Sequence, residues 1–481
     1  MTSDDDDPGL PLKLWPCSNG EYLPAPLDDL RAEALRRAGV EADRHARRHA
    51  WSRRRFLLSS AGMTAGLATL QACSEERSRS RGTQPGGNYA VPPTAVTDPA
   101  EATTIVHGDS TAVATTAGSP APAGIVVDVQ THFLEFGEWG GQFPQGLCGE
   151  AEPIDCFAAE YWRDLVLTQS DTAVAVISAV PVVGAADPLS IEAMERGKAL
   201  AAQLCGDGRV LIQGHAVPDV GPLDAALASM ADVAGAHDLC AWKVYTHAPG
   251  GWALDDEAIG APFLQAVRDT GVPVVAVHKG LSGGNRFASP VDIGPAAAAH
   301  PDVSFLVYHS GYENGVTEDA YDPAGGGVDR LVRSVAEAGL GAGGNVYAEL
   351  GSTWRTLMGS PDEAAHVLGK LLVAFGPERI LWGTDSIWYG SPQDQIAAFR
   401  AFEISPEWQE RFGYPALTPA VKDRILGANA VELFGIEPPA GVCAPTPEGI
   451  RRSNATYGPR SRRDILETFR REHPWTVDWS R

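Results

Sequence analysis

The chain has 481 residues, a formal net charge of -23 and 44% hydrophobic side chains. This length fits one large α/β domain with appended segments, or two to three ordinary domains, and the hydrophobic content excludes a wholly disordered chain. Residues 1–73 contain ten acidic and ten basic side chains, so the whole excess of negative charge lies after residue 73. Such a field repels phosphates and anionic lipid headgroups, and nucleic acid is not an expected partner.

A predicted export signal follows a long N-terminal extension. Residues 1–50 are expected to be disordered. Residues 51–73 contain Ser-Arg-Arg-Arg-Phe-Leu-Leu and then an uncharged run as far as Ala72. Arginine pairs followed by such a run are typical of a twin-arginine export signal, which makes the export machinery an expected partner. The alternative is a buried apolar helix that follows a chance run of arginines.

The apolar run ends in Leu-Gln-Ala-Cys, which resembles a lipobox with Cys73 as the lipid carrier. A small buried cysteine is the alternative. The predicted location is the periplasm or the outer face of the cell membrane, with membrane contact only through the signal segment or this lipid. An oxidising compartment permits disulfides, and the spacing of Cys148 and Cys156 makes them the expected pair.

A βα repeat begins after a predicted linker. Residues 74–123 are rich in Ser, Thr, Pro, Gly and Ala, a composition that buries little surface. From 124 to 437, short apolar runs alternate with longer amphipathic stretches. The eight runs are 125–130, 173–179, 210–215, 239–245, 272–278, 303–309, 346–350 and 380–385. Near-continuous runs of this kind are typical of strands buried on both faces, and eight of them predict a TIM barrel. Residues 438–481 are expected to be a C-terminal extension.

Ionisable side chains end five of these runs. They are His132, Lys243, His278, His309 and Asp385. A lone His or Asp in such a place is commonly a core residue or a helix N-cap, but in a barrel the carboxyl ends of all strands meet at one mouth. Two imidazoles and a carboxylate suit a zinc ion that keeps one open position, which predicts His132, His278 and Asp385 as ligands. His309 would then face the substrate and orient a carbonyl or move a proton.

Five motifs occur in chain order around these residues. They are Asp128-Val-Gln-Thr-His132, Val274-Val-Ala-Val-His278, Leu306-Val-Tyr-His-Ser-Gly311, Ile380-Leu-Trp-Gly-Thr-Asp385 and Ile425-Leu-Gly-Ala-Asn-Ala-Val-Glu-Leu-Phe-Gly435. Together they resemble the family-2 branch of the amidohydrolase superfamily, which includes metal-dependent hydrolases, lactonases and the aminocarboxymuconate-semialdehyde decarboxylase group. The resemblance covers about residues 124–435. It implies a metal held by His132, His278 and Asp385, with His309 catalytic.

The first motif departs from the family pattern. This chain has Gln130 where the family usually has His, sometimes Glu. An amide oxygen is the weaker ligand, so the ion would be held less tightly, would be a harder ion such as manganese, or would be absent. One divalent ion, zinc with manganese as the alternative, is the expected cofactor, and Gln130 is the expected weak fourth ligand.

Three further residues are candidates for contact with a small-molecule substrate. Lys243 resembles the lysine that certain superfamily members carboxylate to bridge two metals, and here it is expected to be a charge partner or substrate anchor. His247 and Trp388 lie close after predicted strands. For both, contact with the substrate and ordinary packing are open alternatives.

Three functions compete. The first is hydrolysis of an amide, ester or lactone, in which a metal-bound water attacks and Asp385 takes its proton. The second is metal-dependent non-oxidative decarboxylation, for which Lys243, Lys279 and Arg286 are available to hold a carboxylate. The third is an exported binding protein that keeps the barrel without its chemistry, and Gln130 is the feature that supports it.

Overall fold

The structure is a computed structural model, and it describes residues 9–16, 19, 22, 25–108, 124–134, 158–181, 187, 189–281 and 283–445. The strands in these residues are β1 Gly87–Tyr89, β2 Val126–Thr131, β3 Thr172–Ile177, β4 Val210–His215, β5 Leu239–Val244, β6 Val274–His278, β7 Ser304–Tyr308, β8 Val346–Glu349, β9 Ile380–Leu381 and β10 Phe402–Ile404. The α-helices in the same residues are α1 Asp29–Arg48, α2 Arg53–Leu57, α3 Ser60–Arg81, α4 Pro99–His107, α5 Ala159–Arg163, α6 Ile191–Cys205, α7 Leu223–Ala236, α8 Gly260–Asp269, α9 Ile293–Ala299, α10 Val328–Glu337, α11 Thr353–Leu357, α12 Pro361–Phe375, α13 Gln393–Ala401, α14 Pro406–Phe412, α15 Pro419–Asp423 and α16 Asn429–Phe434.

Strands β2 to β9 form one eight-stranded sheet in chain order, and every neighbouring pair is parallel. Backbone hydrogen bonds from Val129 N to Trp382 O (3.0 Å) and from Asp385 N to Gln130 O (2.9 Å) join β2 to the residues after β9. The sheet therefore curves round on itself, with both faces of β2, β3, β6 and β8 buried. The TIM barrel predicted from the apolar runs is confirmed.

The predicted runs coincide with β2 to β9 within a few residues, and the last run departs most. Only its first two residues, which form β9, are strand. The chain then leaves the ladder, and Thr384 donates from its backbone N to Asp128 Oδ1 (3.0 Å). This side-chain bond and the backbone bond from Asp385 N to Gln130 O (2.9 Å) hold Asp385 at the end of β2.

The N-terminal residues differ from the prediction that residues 1–50 are disordered. Helix α1 begins after Asp28, whose carboxylate caps it by accepting from Arg31 N (2.8 Å). Its apolar face is buried, with Leu30, Ala34, Leu35, Ala38 and Ala42 inside. Its charged residues lie on the outer face, where Glu33 pairs with Arg36 (2.7 Å). The many charged side chains of this segment therefore belong to the outer face of an amphipathic helix. The small apolar side chains of the opposite face pack on the rest of the protein.

The apolar run of the predicted export signal forms α2 and most of α3, and it is buried within the chain. Phe56, Leu67 and Leu70 are 0% exposed. Leu67 and Leu70 belong to the same hydrophobic core as the barrel residues. No helix among the described residues is long and apolar enough to cross a membrane. The arrangement matches the alternative of a buried apolar helix, and the function as an export signal stays a prediction.

The predicted linker 74–123 also contains regular structure. Helix α3 continues through Cys73, which is buried, and ends at Gly82 with φ 67°. Strand β1 then pairs antiparallel with β10 after the barrel, and α4 follows. The segment has few large apolar side chains of its own. Its elements form because they pack against neighbouring helices and β10, which supply the buried surface.

A disulfide joins Cys205 at the end of α6 to Cys443 in the C-terminal extension. The expected pair, Cys148 and Cys156, lies outside the described residues. The bond ties the first residues of the extension to the barrel, and the spacing of the cysteines does not reveal it because the two are 238 residues apart.

Candidate active site

The barrel mouth brings the predicted site residues together at the ends of their strands. Each side chain is at most 2% exposed: Gln130, His132, Lys243, His278, His309 and Asp385. Charged and imidazole groups sealed in this way must satisfy one another or a bound molecule, because burial without a partner is costly. Their contacts divide the mouth into two groups.

The first group surrounds Asp385, whose two carboxylate oxygens accept five hydrogen bonds from described residues. Oδ1 accepts from His132 Nε2 (3.1 Å), Gln130 Nε2 (3.1 Å) and Trp388 Nε1 (3.3 Å), and Oδ2 accepts from Asn19 Nδ2 (2.9 Å) and Ser352 Oγ (2.5 Å). Burial alone would raise the pKa of Asp385, but the bond and charge of His132 hold it below its ordinary value. Asp385 is therefore a fixed anion.

His132 completes this group as the partner of Asp385. Its Nδ1 faces the carbonyl oxygen of Ser178 (2.6 Å), and its Nε2 faces Asp385 Oδ1 (3.1 Å). Both partners are acceptors, so an imidazole that carries hydrogen on both nitrogens satisfies both contacts. The ring of His132 is thereby held between two buried acceptors, Ser178 O and Asp385 Oδ1.

The second group consists of neutral imidazoles. His278 Nε2 faces the carbonyl of Gly280 (3.0 Å) and His309 Nδ1 faces the carbonyl of Gly351 (2.7 Å), so both of these nitrogens donate. The other ring nitrogens, His278 Nδ1 and His309 Nε2, lie 3.2 Å apart. Burial lowers the pKa of both rings, that of His309 to about 4. The lone pairs of these two nitrogens face each other, and one proton can be shared between them.

Lys243 lies next to the imidazoles. Its ammonium is 3.8 Å from the centre of the Tyr308 ring and 4.4 Å from that of Tyr245. His247, half-buried, has its ring centre 4.7 Å from that of His278, and burial followed by the charges of Lys279 and Lys243 lowers its pKa to about 4. The aromatic faces stabilise the ammonium and exclude water from it.

Two further carboxyl groups lie in the mouth. Glu349, the last residue of β8, accepts from His309 N (3.0 Å) and Gly351 N (2.6 Å), and burial raises its pKa to about 8. Burial likewise raises the pKa of Asp128 to about 7, against the bonds from Thr384. Sequence analysis did not single out Glu349, although the same criterion, an ionisable residue that ends an apolar strand, identifies it.

Backbone strain is concentrated here. His309, Ser352 and Asp385 have φ values of 65°, 56° and 57°. Side chains other than glycine rarely occupy this left-handed region, and residues held there cost free energy that surrounding contacts must offset. Their hydrogen bonds provide that compensation, which is typical of functional sites.

Comparison with known proteins agrees with this geometry. The sequence profile of the family described as Amidohydrolase matches residues 127–436. This chain belongs to the amidohydrolase family. The match spans the barrel from β2 to α16 and confirms the resemblance seen in the five motifs. No curated protein sequence matches the chain.

Solved structures similar to this amidohydrolase are barrels of low identity. An uncharacterised TIM-barrel protein of Bordetella bronchiseptica is 13% identical, with 64% of this chain and 98% of that one covered and a TM-score of 0.43. A 2,6-dihydroxybenzoate decarboxylase from Rhizobium is 16% identical, with 65% and 98% covered and a TM-score of 0.36. A 5-carboxyvanillate decarboxylase of Novosphingobium aromaticivorans, solved with manganese, is 13% identical, with 65% and 96% covered and a TM-score of 0.39.

The predicted metal ligands of this amidohydrolase do not converge on one point. His132, Asp385 and Gln130 lie together, but Gln130 directs its amide nitrogen at Asp385, and its Oε1 has no hydrogen-bond partner among the described residues. His278 is paired with His309 instead. No three His, Cys, Asp or Glu side chains in the described part of the chain are grouped to hold an ion. This donor set does not fit a three-ligand catalytic metal, so we assign no step to one.

The substrate candidates are placed as follows. Trp388 donates to Asp385 and stacks 6.0 Å from the His132 ring, so it packs within the first group. His247 and Lys243 belong to the second. Asn19, which donates to Asp385 from 366 residues away, was missed, and no periodicity or motif in the sequence marks it.

Proposed function

We propose that this amidohydrolase removes carbon dioxide from a small carboxylic acid without oxidation. The observation that carries the proposal is the buried ammonium of Lys243, 3.8 Å from the Tyr308 ring and in the same mouth as His278 and His309. An ammonium at the mouth can hold the carboxylate of a substrate by charge and by hydrogen bonding. A carboxylate is the anion that agrees with the chemistry of the surrounding groups.

Decarboxylation has two steps at the site, loss of carbon dioxide and protonation of the carbon. The bond between carbon and carboxylate breaks, its electron pair stays on the carbon, and a proton then takes that position. Lys243 holds the acid, and the faces of Tyr308 and Tyr245 keep water away from the carboxylate. An environment without water disfavours the localised charge of the carboxylate relative to the delocalised charge that forms as carbon dioxide leaves.

The proton reaches the carbon through the paired imidazoles, which are neutral at rest and take it up from solvent water. A proton between His278 Nδ1 and His309 Nε2 has two acceptors 3.2 Å apart. Because burial lowers the pKa of both rings, the pair gives this proton up readily to a developing carbanion. His132 and Asp385 are held by contacts to each other and to Ser178 O, and they are not needed for this transfer.

Hydrolysis is the second candidate. In the form predicted from sequence it needs an ion with three protein ligands and an open water position. The observation that favours it is the same neutral imidazole pair, since a ring nitrogen that carries a lone pair can take a proton from water. It ranks second because a buried lysine beside the imidazoles suits a carboxylate substrate better than a neutral amide, ester or lactone.

Product analysis tests the proposal. The full-length protein would be incubated with 2,6-dihydroxybenzoate, 5-carboxyvanillate, an aryl lactone and an anilide, before and after dialysis against a chelator and with zinc or manganese restored. We expect carbon dioxide from an aromatic acid, with Lys243→Met strongly impaired. Lys198→Met, on α6 outside the mouth, is the matched control and should keep full activity. Acid release without carbon dioxide would establish hydrolysis, and tight binding without any product would establish a binding protein; either result overturns decarboxylation.

A further inference from the structure

The N-terminal segment, by which we mean residues 9–16, 19 and 22, is fastened to the barrel by a buried lysine. Lys13 is 6% exposed. Its ammonium donates to the carbonyls of Tyr389 (3.0 Å) and Ser391 (2.5 Å) and pairs with Asp394 Oδ1 (2.9 Å). The backbone N of Lys13 donates to the other oxygen of Asp394 (3.0 Å). A buried ammonium with this many acceptors is held in one position, and the segment is held with it.

The same segment continues into the mouth. Asn19 is 8% exposed and donates from Nδ2 to Asp385 Oδ2 at 2.9 Å. Three residues on, the hydroxyl of Tyr22 lies 3.4 Å from that of Tyr389, which is itself 2.5 Å from Ser352 Oγ. The segment therefore contacts Asp385 directly and its partner Ser352 through Tyr389.

The hydrogen-bond donors to the two carboxylate oxygens of Asp385 indicate what Asn19 does. Oδ1 has three donors, all of which lie on the barrel or its loops. Oδ2 has only Ser352 from the barrel among the described residues, and Asn19 supplies the second donor. The Ser352 hydroxyl also lies 2.5 Å from Tyr389 Oη and can turn its hydrogen toward that oxygen, so the amide of Asn19 is the donor that keeps Oδ2 from rotating about the Cβ–Cγ bond.

We propose that Asn19 is a positioning residue of the active site: it fixes the plane of the Asp385 carboxylate, and the N-terminal segment is thereby part of the site. The proposal does not depend on which reaction the site catalyses. It differs from a packing role because it requires the amide N–H of Asn19 and not merely its volume.

Two substitutions separate these roles. Asn19→Ala removes the donor and some volume, and Asn19→Asp keeps the volume but turns the donor into a second carboxylate against Asp385. We expect kcat to fall about 10-fold in Asn19→Ala and further in Asn19→Asp, with KM changed less than about twofold, because the Asp385 carboxylate loses its fixed plane while the substrate contacts are kept. Asn88→Ala, which loses an asparagine bond to Gln71 in the same N-terminal region but outside the mouth, should keep its kcat.

A thermal measurement needs no substrate and so is independent of the proposed reaction. Asn19→Ala should lower Tm by on the order of 1–2 °C in the wild-type protein and leave it unchanged in an Asp385→Asn background, where the charged acceptor is gone. If that background does not fold, Ser352→Ala replaces it, and there the effect of Asn19→Ala should grow because Oδ2 has lost its other donor. Equal effects in both backgrounds, or an Asn19→Asp protein more active than Asn19→Ala, would overturn the proposal.

Discussion

On the side of the barrel mouth next to β2 and β9, Asp385 accepts five hydrogen bonds from residues that the structure describes, one of them from His132. On the side formed by β5, β6 and β7, Lys243 rests on aromatic rings and the lone pairs of His278 and His309 face each other. The first side has its protons fixed in bonds, whereas the second has a place for one more proton. The difference supports the proposal that the imidazole side transfers the proton while the Asp385 side maintains the shape of the site.

Asp385→Asn should have the largest effect, on both fold and activity. An amide cannot accept hydrogen bonds at both of its terminal atoms, and the buried His132 ring loses the carboxylate beside it. We expect a loss of about 3 kcal/mol in the free energy of unfolding and a fall in activity on the order of 1,000-fold. Denaturant unfolding and initial rates measure the two losses. A variant with undiminished activity would contradict the division of the mouth into a fixed side and a reactive side.

Lys243→Met should act on substrate binding and leave the fold nearly unchanged. Methionine has a similar length and packs against Tyr308 and Tyr245 without a charge. Loss of a buried charge pair with the substrate should raise KM on the order of 10- to 100-fold, with a smaller change in kcat. Steady-state kinetics and a thermal melt measure both, and an unchanged KM would show that Lys243 is only structural.

Gln130→His tests whether the fixed side is a metal site that lacks one ligand. A second imidazole next to His132 should raise the zinc retained after dialysis against a chelator by about 10-fold. Elemental analysis of the dialysed protein gives the result. Gln130→Leu, which offers no ligand, is the control, and equal retention in the two variants would show that this side does not hold an ion.

The smallest effect is expected from pH. His309 and His247 have pKa values near 4 because they are buried, below the ordinary value for histidine. The neutral rings contribute stability that is fully present above pH 6.5 and is lost as the pH falls from there through 4. Activity controlled by these rings should stay constant between pH 8 and 5. His247→Gln should reduce the acid-induced fall in Tm by about 1–2 °C, and an equal fall between pH 6.5 and 4 in the wild type and in His247→Gln would contradict neutral burial of this group.

The barrel could be predicted from sequence because most of its strands are buried on both faces. Runs of Val, Ile and Ala such as 274–278 leave few alternatives to a buried strand. A side chain at the end of such a strand must lie at the mouth of the barrel. Strand order alone therefore places Lys243, His278 and His309 near one another. The hydrogen bonds that divide the mouth depend on side-chain directions, which a strand pattern does not specify.

The N-terminal region could not be predicted for a different reason. An uncharged run such as 56–72 has the same composition whether it is exported or packed against another part of the chain. Its burial depends on contacts with residues hundreds of positions away, as in the pairing of β1 with β10. Asn19 was the hardest residue to predict, because its proposed role depends on a single hydrogen bond to the distant Asp385.

The burial of α3 bears on how the protein matures. A peptidase that cut before Cys73 would release α1, α2 and most of α3 together with Lys13 and Asn19, and the carboxylate of Asp394 would lose the ammonium that it pairs with. Such processing would cut Asn19 off from the chain that carries Asp385. The intact mass of the purified protein shows whether residues 1–72 are kept, since the sequence that includes them weighs 50.8 kDa.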